Sequence, residues 1–240
     1  TSFAPFLSMR ASEQIRMNLG YMKLPVNLVA LGSGVSMGYL GNSHFGLEDI
    51  GVMRCIPGLN ISSPADCSEL RNILYDYAFE NRGPSYIRLT GIPGYPAVYK
   101  ENYDYKFKEP VTLNKGNDLL ILSTGSMVSQ SLAACENLSK KKINAELVNI
   151  HTLKPLDIDF IIKHSRQVSA IITAENHSII GGLGSAVAET LLEGNVSRKF
   201  KRIGIEDTFA EGGSTEFLFK KYGLTSTKIV DALEKLLDNN

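Results

Sequence analysis

The sequence has no excess charge of either sign, since 25 lysine and arginine residues balance 25 aspartate and glutamate residues. A nucleic-acid-binding protein usually carries a basic excess, so the balance argues against that class of partner. No apolar run is long enough to span a bilayer and no signal peptide opens the chain, which argues against a membrane partner. Cysteine is scarce: Cys55, Cys67 and Cys135 are odd in number and far apart. That spacing suits buried thiols in a reducing compartment better than a disulfide frame or a metal site, and a cytoplasmic address follows. Repeats and low-complexity tracts are missing. So are the GxSxG elbow, HExxH, paired CxxC and GxxxxGK, which removes the common hydrolase and nucleotide-binding signatures.

What is present is the composition of a soluble globular protein, 43% apolar and 21% charged over 240 residues, enough for one large domain or two ordinary ones. Helical spacing of Ile15, Leu19 and Met22 predicts a helix over 11–22. An apolar run over 26–31 predicts a buried parallel strand, followed by a helix from Phe45 to Met53 and a short strand over 59–62. Ser63-Pro64-Ala65-Asp66 reads as a helix start with a proline in the first turn, and Leu70, Ile73, Leu74, Tyr77 and Ala78 as the inner face of that helix. A strand over 85–89 closes the first series. Residues 91–117, rich in Pro, Gly, Tyr and Lys, read as an ordered linker. The alternation then restarts, with strands over 119–122, 145–150, 168–174 and 201–205. Helices are expected over 126–138, 157–164, 185–192, 216–222 and 227–237, with ENHSIIGGLG as a loop. Alternating strands and helices mean βαβ units. The predicted fold is α/β: two three-layer α/β domains with mainly parallel sheets, over 1–90 and 118–240, joined by the linker.

The most informative stretch is GSGVSMGYLGNSHFGLEDIGVM, residues 32–53. Gly32, Gly34, Gly38 and Gly41 let the backbone take positive φ and approach a ligand. Asn42 or Ser43 can cap the helix that follows. A loop leaving a parallel strand and entering a helix is where open α/β sheets bind ligands, and His44 sits at that turn. Elsewhere Ser126, at a helix start, is either a capping residue or an anion contact. Glu48 and Asp49 favour a helix dipole, with Glu48 also able to tie down the loop. Glu206, Asp207 and Glu211 read as turn and cap residues, and His151 and His164 as surface or packing residues.

Taken together, SFAPFLSMRASEQIR, GNSHFGLEDIGVMR, IPGLNISSPAD and GPSYIRL resemble the pyrimidine-binding domain of the transketolase family. TAENHSIIGGLGSAVAE and RIGIEDTFAEGGSTEFLFKKYGLT resemble that family's C-terminal domain. The resemblance spans nearly the whole chain, in order, and its nearest layout is the split type whose C-terminal section is a separate subunit. It implies thiamine diphosphate as cofactor, with the pyrimidine half on this chain and the diphosphate and magnesium on a partner domain. Phe3 and Phe6 match the aromatic pair around the aminopyrimidine, with Met9 where many members have a further aromatic. His44 matches the histidine that faces substrate, where an imidazole suits proton transfer near neutral pH. Glu175, His177, Gly181, Gly182 and Gly184 match C-terminal signature positions, where the glycines permit close helix packing and His177 serves domain or dimer contacts.

The departures from the family pattern concern substrate. Leu31-Gly32-Ser33 stands where sugar-phosphate transketolases carry a second histidine. Gly38-Tyr39-Leu40 stands for their GED, so Leu40 replaces an aspartate expected to contact a sugar hydroxyl. The arginine expected on substrate phosphate falls at Gly91, with Arg88 nearby. Gly32, Ser33, Leu40 and Arg88 are therefore the expected substrate-pocket residues, and the pocket for the small-molecule substrate is expected to be more apolar and less anionic than that of a housekeeping transketolase. The family's catalytic glutamate would precede Thr1, and its GDG…N motif for magnesium and diphosphate is not in this sequence. The resemblance thus implies an incomplete transferase of two-carbon ketol or acyl units between carbohydrate-type substrates. Its partner would be an N-terminal section carrying the diphosphate-binding domain, in a homodimer or α2β2 assembly. A β-type component of a thiamine-dependent 2-oxoacid dehydrogenase or oxoacid-using transferase is the first alternative, and a non-catalytic assembly subunit the second.

Overall fold

The computed structural model describes residues 1–92, 94–99 and 103–238. The first sheet is built from β1 (Ser2–Phe3), β2 (Asn27–Leu31), β3 (Asn60–Ser62) and β4 (Ser85–Arg88), all parallel, in the order β1-β2-β4-β3. The second contains β5 (Val111–Asn114), β6 (Leu119–Ser123) and β7 (Ala145–Asn149). A short β8 (Thr152–Lys154) leaves it to pair antiparallel with β3, adding a fifth strand to the first sheet. With β9 (Ala170–Ser178) and β10 (Lys199–Ile205), the second sheet has the order β10-β9-β6-β7-β5, and only β5 is antiparallel. The α/β class with mainly parallel sheets is as predicted. Among the described residues no helix is long and apolar enough to cross a membrane.

Helices cover these sheets. The stretch expected as one helix over 11–22 is a short α1 (Ser12–Ile15) between two wider turns, Phe6–Arg10 and Arg16–Tyr21. The wide turns hydrogen-bond five residues back, as Ala11 N to Phe6 O (3.1 Å) and Met22 N to Met17 O (2.9 Å) show. Helix α2 (Asp49–Arg54) begins four residues later than predicted, because Gly46 exchanges backbone hydrogen bonds with Gly34 (2.8 and 3.0 Å) instead of entering a helix. Asn42 and Ser43 consequently cap nothing. They lie in a 3₁₀ stretch, Gly38–Ser43, broken at Gly41.

Helix α3 (Cys67–Phe79) starts behind Asp66, whose Oδ1 accepts from Glu69 N at 2.9 Å, while Glu69 Oε2 accepts from Ala65 N at 2.7 Å. This reciprocal capping leaves Pro64 ahead of the helix. Its buried face is narrower than predicted, since Leu74 and Ala78 are exposed. Helices α4 (Met127–Lys140), α5 (Ile158–Ser165), α6 (Leu183–Glu193), α7 (Thr215–Lys221) and α8 (Ser226–Asp238) follow the expected order.

Two departures matter for the site. Strand β9 runs on through Glu175-Asn176-His177, which the sequence pattern assigned to a loop. The segment expected as linker ends in β5, and before that it is tied down by polar contacts: Val98 N and Tyr99 N both donate to Asp66 Oδ2 at 2.7 Å. Within that segment, residue 93 and residues 100–102 lie outside the described residues. Apolar packing joins the two sheets, for one core cluster draws Val35, Phe45 and Leu47 from the glycine loop and Ile121, Ile172 and Leu218 from the second half.

Candidate active site

The strand order brings β1 and β2 side by side, with Phe3 paired to Leu31 at their carboxyl ends. The glycine loop leaves β2 there and returns to α2, and the first wide turn starts three residues after Phe3. These three elements converge on one aromatic cluster. The rings of Phe3 and Phe6 lie 5.7 Å apart, edge to face, and the imidazole of His44 is 5.1 Å from each. All three side chains are half-buried, so their remaining surface is open to a planar ligand, to which aromatic edges and faces offer about 1 kcal/mol beyond burial. His44 Nδ1 shares a hydrogen bond with Ser43 Oγ (2.9 Å), and Nε2 has no hydrogen-bond partner among the described residues. The guanidinium of Arg10 covers the Phe6 ring at 4.1 Å. Met9, one turn from Phe6, is 54% exposed.

The expected substrate-pocket residues separate into two groups. Gly32, with φ +77°, holds the neck of the loop, where a Cβ would collide with Met37 at 2.5 Å. Leu40 sits on the outer turn, 52% exposed. Ser33 and Arg88 are both buried away from the surface. Ser33 is buried and its N–H donates to Leu89 O at 2.9 Å. Arg88 is 2% exposed, turned inward onto Asp49 (Nε to Oδ1 3.0 Å and Oδ2 2.8 Å) and onto the carbonyls of Gly46 (2.9 Å) and Asn176 (2.7 Å). Strand alternation explains the correction, since a side chain on β4 must choose one face of the sheet and this one chooses the face under α2.

The C-terminal signature is structural. Glu175 accepts from Leu183 N (2.7 Å) and Gly184 N (2.8 Å), so it caps α6 across the Gly181-Gly182 turn, and a Cβ on Gly182 would fall 2.0 Å from its carboxylate. Burial pushes the Glu175 carboxyl up to about 7, against the pull of those amides and of Arg88 and Arg54. His177 donates from Nδ1 to Ser178 O (2.6 Å) and accepts from Ile50 N (3.2 Å). Burial lowers it to about 4, with nearby Asp49 opposing. Its contact is with α2 of the same chain. Ser126 neither caps α4 through its side chain nor faces solvent; its Oγ lies 3.5 Å from Asn176 Nδ2. His151 is buried rather than on the surface, between Glu109 O (2.9 Å) and Thr152 Oγ1 (2.8 Å), and burial lowers it to about 4. His164 stacks on Phe160 and pairs with Glu146 at 2.8 Å.

Tyr86 and Asn176 are not singled out by sequence pattern, and Asp49 reads there only as a helix-dipole residue. Asp49 accepts from Tyr86 Oη at 2.9 Å as well as from Arg88, and Asn176 reaches from β9 into the loop. The available signal was weak: a polar residue closing an apolar strand. Among the described residues, no group of three or more His, Cys, Asp or Glu is placed to hold a metal ion.

The family model described as "Transketolase, pyrimidine binding domain" matches residues 1–91, and the one described as "Transketolase, C-terminal domain" matches 109–229. This chain belongs to the transketolase family. It is 37% identical over 237 residues to the 6-deoxy-6-sulfo-D-fructose transketolase subunit SqwH of Clostridium sp. (strain MSTE9), covering 99% of this chain and 73% of that one. It is 34% identical over 229 residues to an apulose-4-phosphate transketolase subunit of Actinobacillus succinogenes, covering 95% and 73%. A solved structure described as a split gene transketolase, inactive beta4 tetramer, superposes with a TM-score of 0.87 at 36% identity, over 98% of this chain and 74% of that one. The transketolase-family chain therefore carries the pyrimidine-binding and C-terminal parts of a thiamine-diphosphate-dependent transketolase-like enzyme, of the kind made as separate subunits.

Proposed function

We propose that this chain is the C-terminal section of a split ketol transferase that moves a two-carbon unit between carbohydrate-type substrates. In this reading residues 1–90 form the pyrimidine-binding unit, 91–117 the linker and 118–240 the C-terminal unit. A separate section supplies the diphosphate-binding domain and its magnesium, and the two sections form one active site. The observation that carries the reading is the Phe3–Phe6–His44 cluster, three half-open rings at the carboxyl ends of β1 and β2 with one free imidazole nitrogen.

The cluster fits the pyrimidine half of the cofactor, because two phenyl rings at right angles offer a face and an edge to a heteroaromatic ring and bring no charge of their own. Thiamine diphosphate, when bound, supplies the electron sink for breaking and making a carbon–carbon bond beside a carbonyl. Phe3 and Phe6 orient the aminopyrimidine, and Met9 fills the gap left by a missing third aromatic. His44, anchored through Nδ1 by Ser43, turns Nε2 to the substrate, where it hydrogen-bonds a donor oxygen and shuttles a proton. Gly32 and Leu40 line the substrate side without charge. Arg88 takes no part in phosphate binding, since its fork is already filled by Asp49 and two carbonyls. That a relative is named for a sulfonated ketose supports a donor other than a common pentose phosphate.

The test is reconstitution. The chain is mixed with a complementary diphosphate-binding section, magnesium and thiamine diphosphate, then offered ketose phosphates, 6-deoxy-6-sulfofructose and 2-oxoacids. Two-carbon transfer that needs both sections is the expected result. Transfer from a 2-oxoacid but from no ketose replaces the reading with the oxoacid alternative, and no transfer from any donor leaves the assembly subunit.

A further inference from the structure

We infer that the second half of the chain positions His44, by clamping the glycine loop at its neck and at its outer turn. The catalytic part of this inference rests on the ketol-transfer reading, while the clamp itself does not.

The loop is closed by a pair of backbone hydrogen bonds between Gly34 and Gly46, and His44 lies two residues from that closure. Three successive residues of β9 hold the closure from outside. Asn176 Oδ1 accepts from Val35 N at 3.2 Å, and its Nδ2 points at Ser33 O and Ser36 Oγ, both at 3.4 Å. His177 Nε2 accepts from Ile50 N at 3.2 Å, and Ser178 N donates to Leu47 O at 2.9 Å. The fit is close enough to fix residue type. Gly34 has φ +58°, and a Cβ there would lie 1.9 Å from Asn176 Oδ1. At the outer turn, Gly213 N donates to Gly38 O at 3.4 Å, a Cβ on Gly38 would lie 3.0 Å from Gly213 O, and one on Gly212 would lie 3.4 Å from Tyr39 O.

Asn176 is 1% exposed and reaches no open surface where substrate could bind. It is a positioning residue. A loop with four positive-φ glycines has many conformations when free, so the imidazole has one place only while both grips hold. The ENH and EGG runs, distant from His44 in sequence, then serve the same atom.

The experiment compares the full chain with its Asn176→Ala and Asn176→Asp variants, using Leu138→Val, a buried residue near the C-terminal end of α4, as a packing control in the same half. Amide hydrogen exchange over 33–47 is read for each folded chain, and kcat and the thiamine diphosphate Kd for each reconstituted complex. Asn176→Ala is expected to speed exchange over 33–47 at least tenfold with α4 unchanged. It should lower kcat at least tenfold and leave the cofactor Kd within threefold. Asn176→Asp, which keeps an acceptor for Val35 N, should fall between the two, and Leu138→Val should leave all three readouts near wild type. Unchanged exchange over 33–47, or faster exchange with kcat intact, overturns the inference. Should Asn176→Ala not fold, Asn176→Asp and Asn176→Ser decide by the same criteria. A wild-type complex without ketol transfer refutes the functional reading, and the exchange comparison still decides the clamp.

Discussion

Arg88 Nε lies 2.8 Å from one carboxylate oxygen of Asp49 and 3.0 Å from the other, with both side chains sealed from solvent. The pair joins β4 to the start of α2, and the same guanidinium reaches Asn176 O on β9, so one side chain bridges both halves of the molecule. Removing the carboxylate leaves a buried cation without a counter-charge, which typically costs about 3–5 kcal/mol. Asp49→Asn should therefore lower the unfolding free energy of the chain, measured by urea denaturation, by that order. Arg88→Lys should not be neutral, because an ammonium cannot span a carboxylate and two carbonyls at once. The double variant Asp49→Asn with Arg88→Met should lose less than the two single losses added. Strict additivity in that cycle would show that the pair does not act as a unit.

The helix dipole reading of Asp49 is not wrong about where the residue sits, and it misses what the residue does. Although the strand over 26–31, expected to be buried, leaves Val26 41% and Leu31 36% exposed, periodicity placed most of the strands and helices. It cannot report a partner 39 residues away, nor that Gly46 will pair with Gly34 and delay α2. Three-residue β8, ending against Pro155, and β9 beyond Ala174 were hidden for the same reason: their stability comes from strands elsewhere in the chain. The cluster of Phe3, Phe6 and His44 became visible through family resemblance, because its members belong to a strand, a turn and a loop with no shared period.

His151 gives a test that depends on pH. Burial lowers its pKa from an ordinary 6.5 to about 4, so its neutral form is favoured in the folded state. Stability from such a group is present above pH 6.5 and is lost as pH falls toward 4. Glu69 and Glu175 act in the opposite sense, since burial pushes both carboxyls up to about 7 and their contribution is lost as pH rises from 4.5 to 7. The whole-chain profile mixes these slopes, so the informative quantity is the stability difference between wild type and His151→Asn. That difference should shrink as pH falls from 6.5 to 4.5, by at most about 1.4 kcal/mol per pH unit. A difference independent of pH would mean that the imidazole protonates in place.

Within the aromatic cluster, binding and turnover should separate by residue. Phe6→Ala removes a ring from the cofactor side and should weaken thiamine diphosphate binding to the reconstituted complex by about tenfold, since aromatic contacts add about 1 kcal/mol to ordinary burial. His44→Ala should lower kcat at least tenfold, within the range of about 10²–10⁴ typical of a lost proton-transfer group, and leave the cofactor Kd within threefold. Titration by quenching of protein fluorescence gives the affinities, and steady-state assay gives the rates. Unchanged turnover in His44→Ala would make the imidazole a packing residue between Phe3 and Phe6.

The substrate prediction rests on which side chains are free. Arg88 is already fully engaged, Gly91 offers no cation where a phosphate clamp is expected, and Leu40 brings an alkyl group to an open position on the outer turn. A guanidinium fork is hard to replace as a phosphate clamp, because bidentate geometry supplies both energy and orientation. Xylulose 5-phosphate with ribose 5-phosphate should therefore be at least tenfold poorer in kcat/KM than the best donor–acceptor pair in a panel of ketose phosphates, sulfonated ketoses and 2-oxoacids. Leu40→Asp should narrow that gap by restoring an acceptor for a sugar hydroxyl, with its main effect on KM. If the pentose phosphate pair is the best substrate of the unaltered complex, the partner section supplies the missing cation and the pocket is not selective against phosphate.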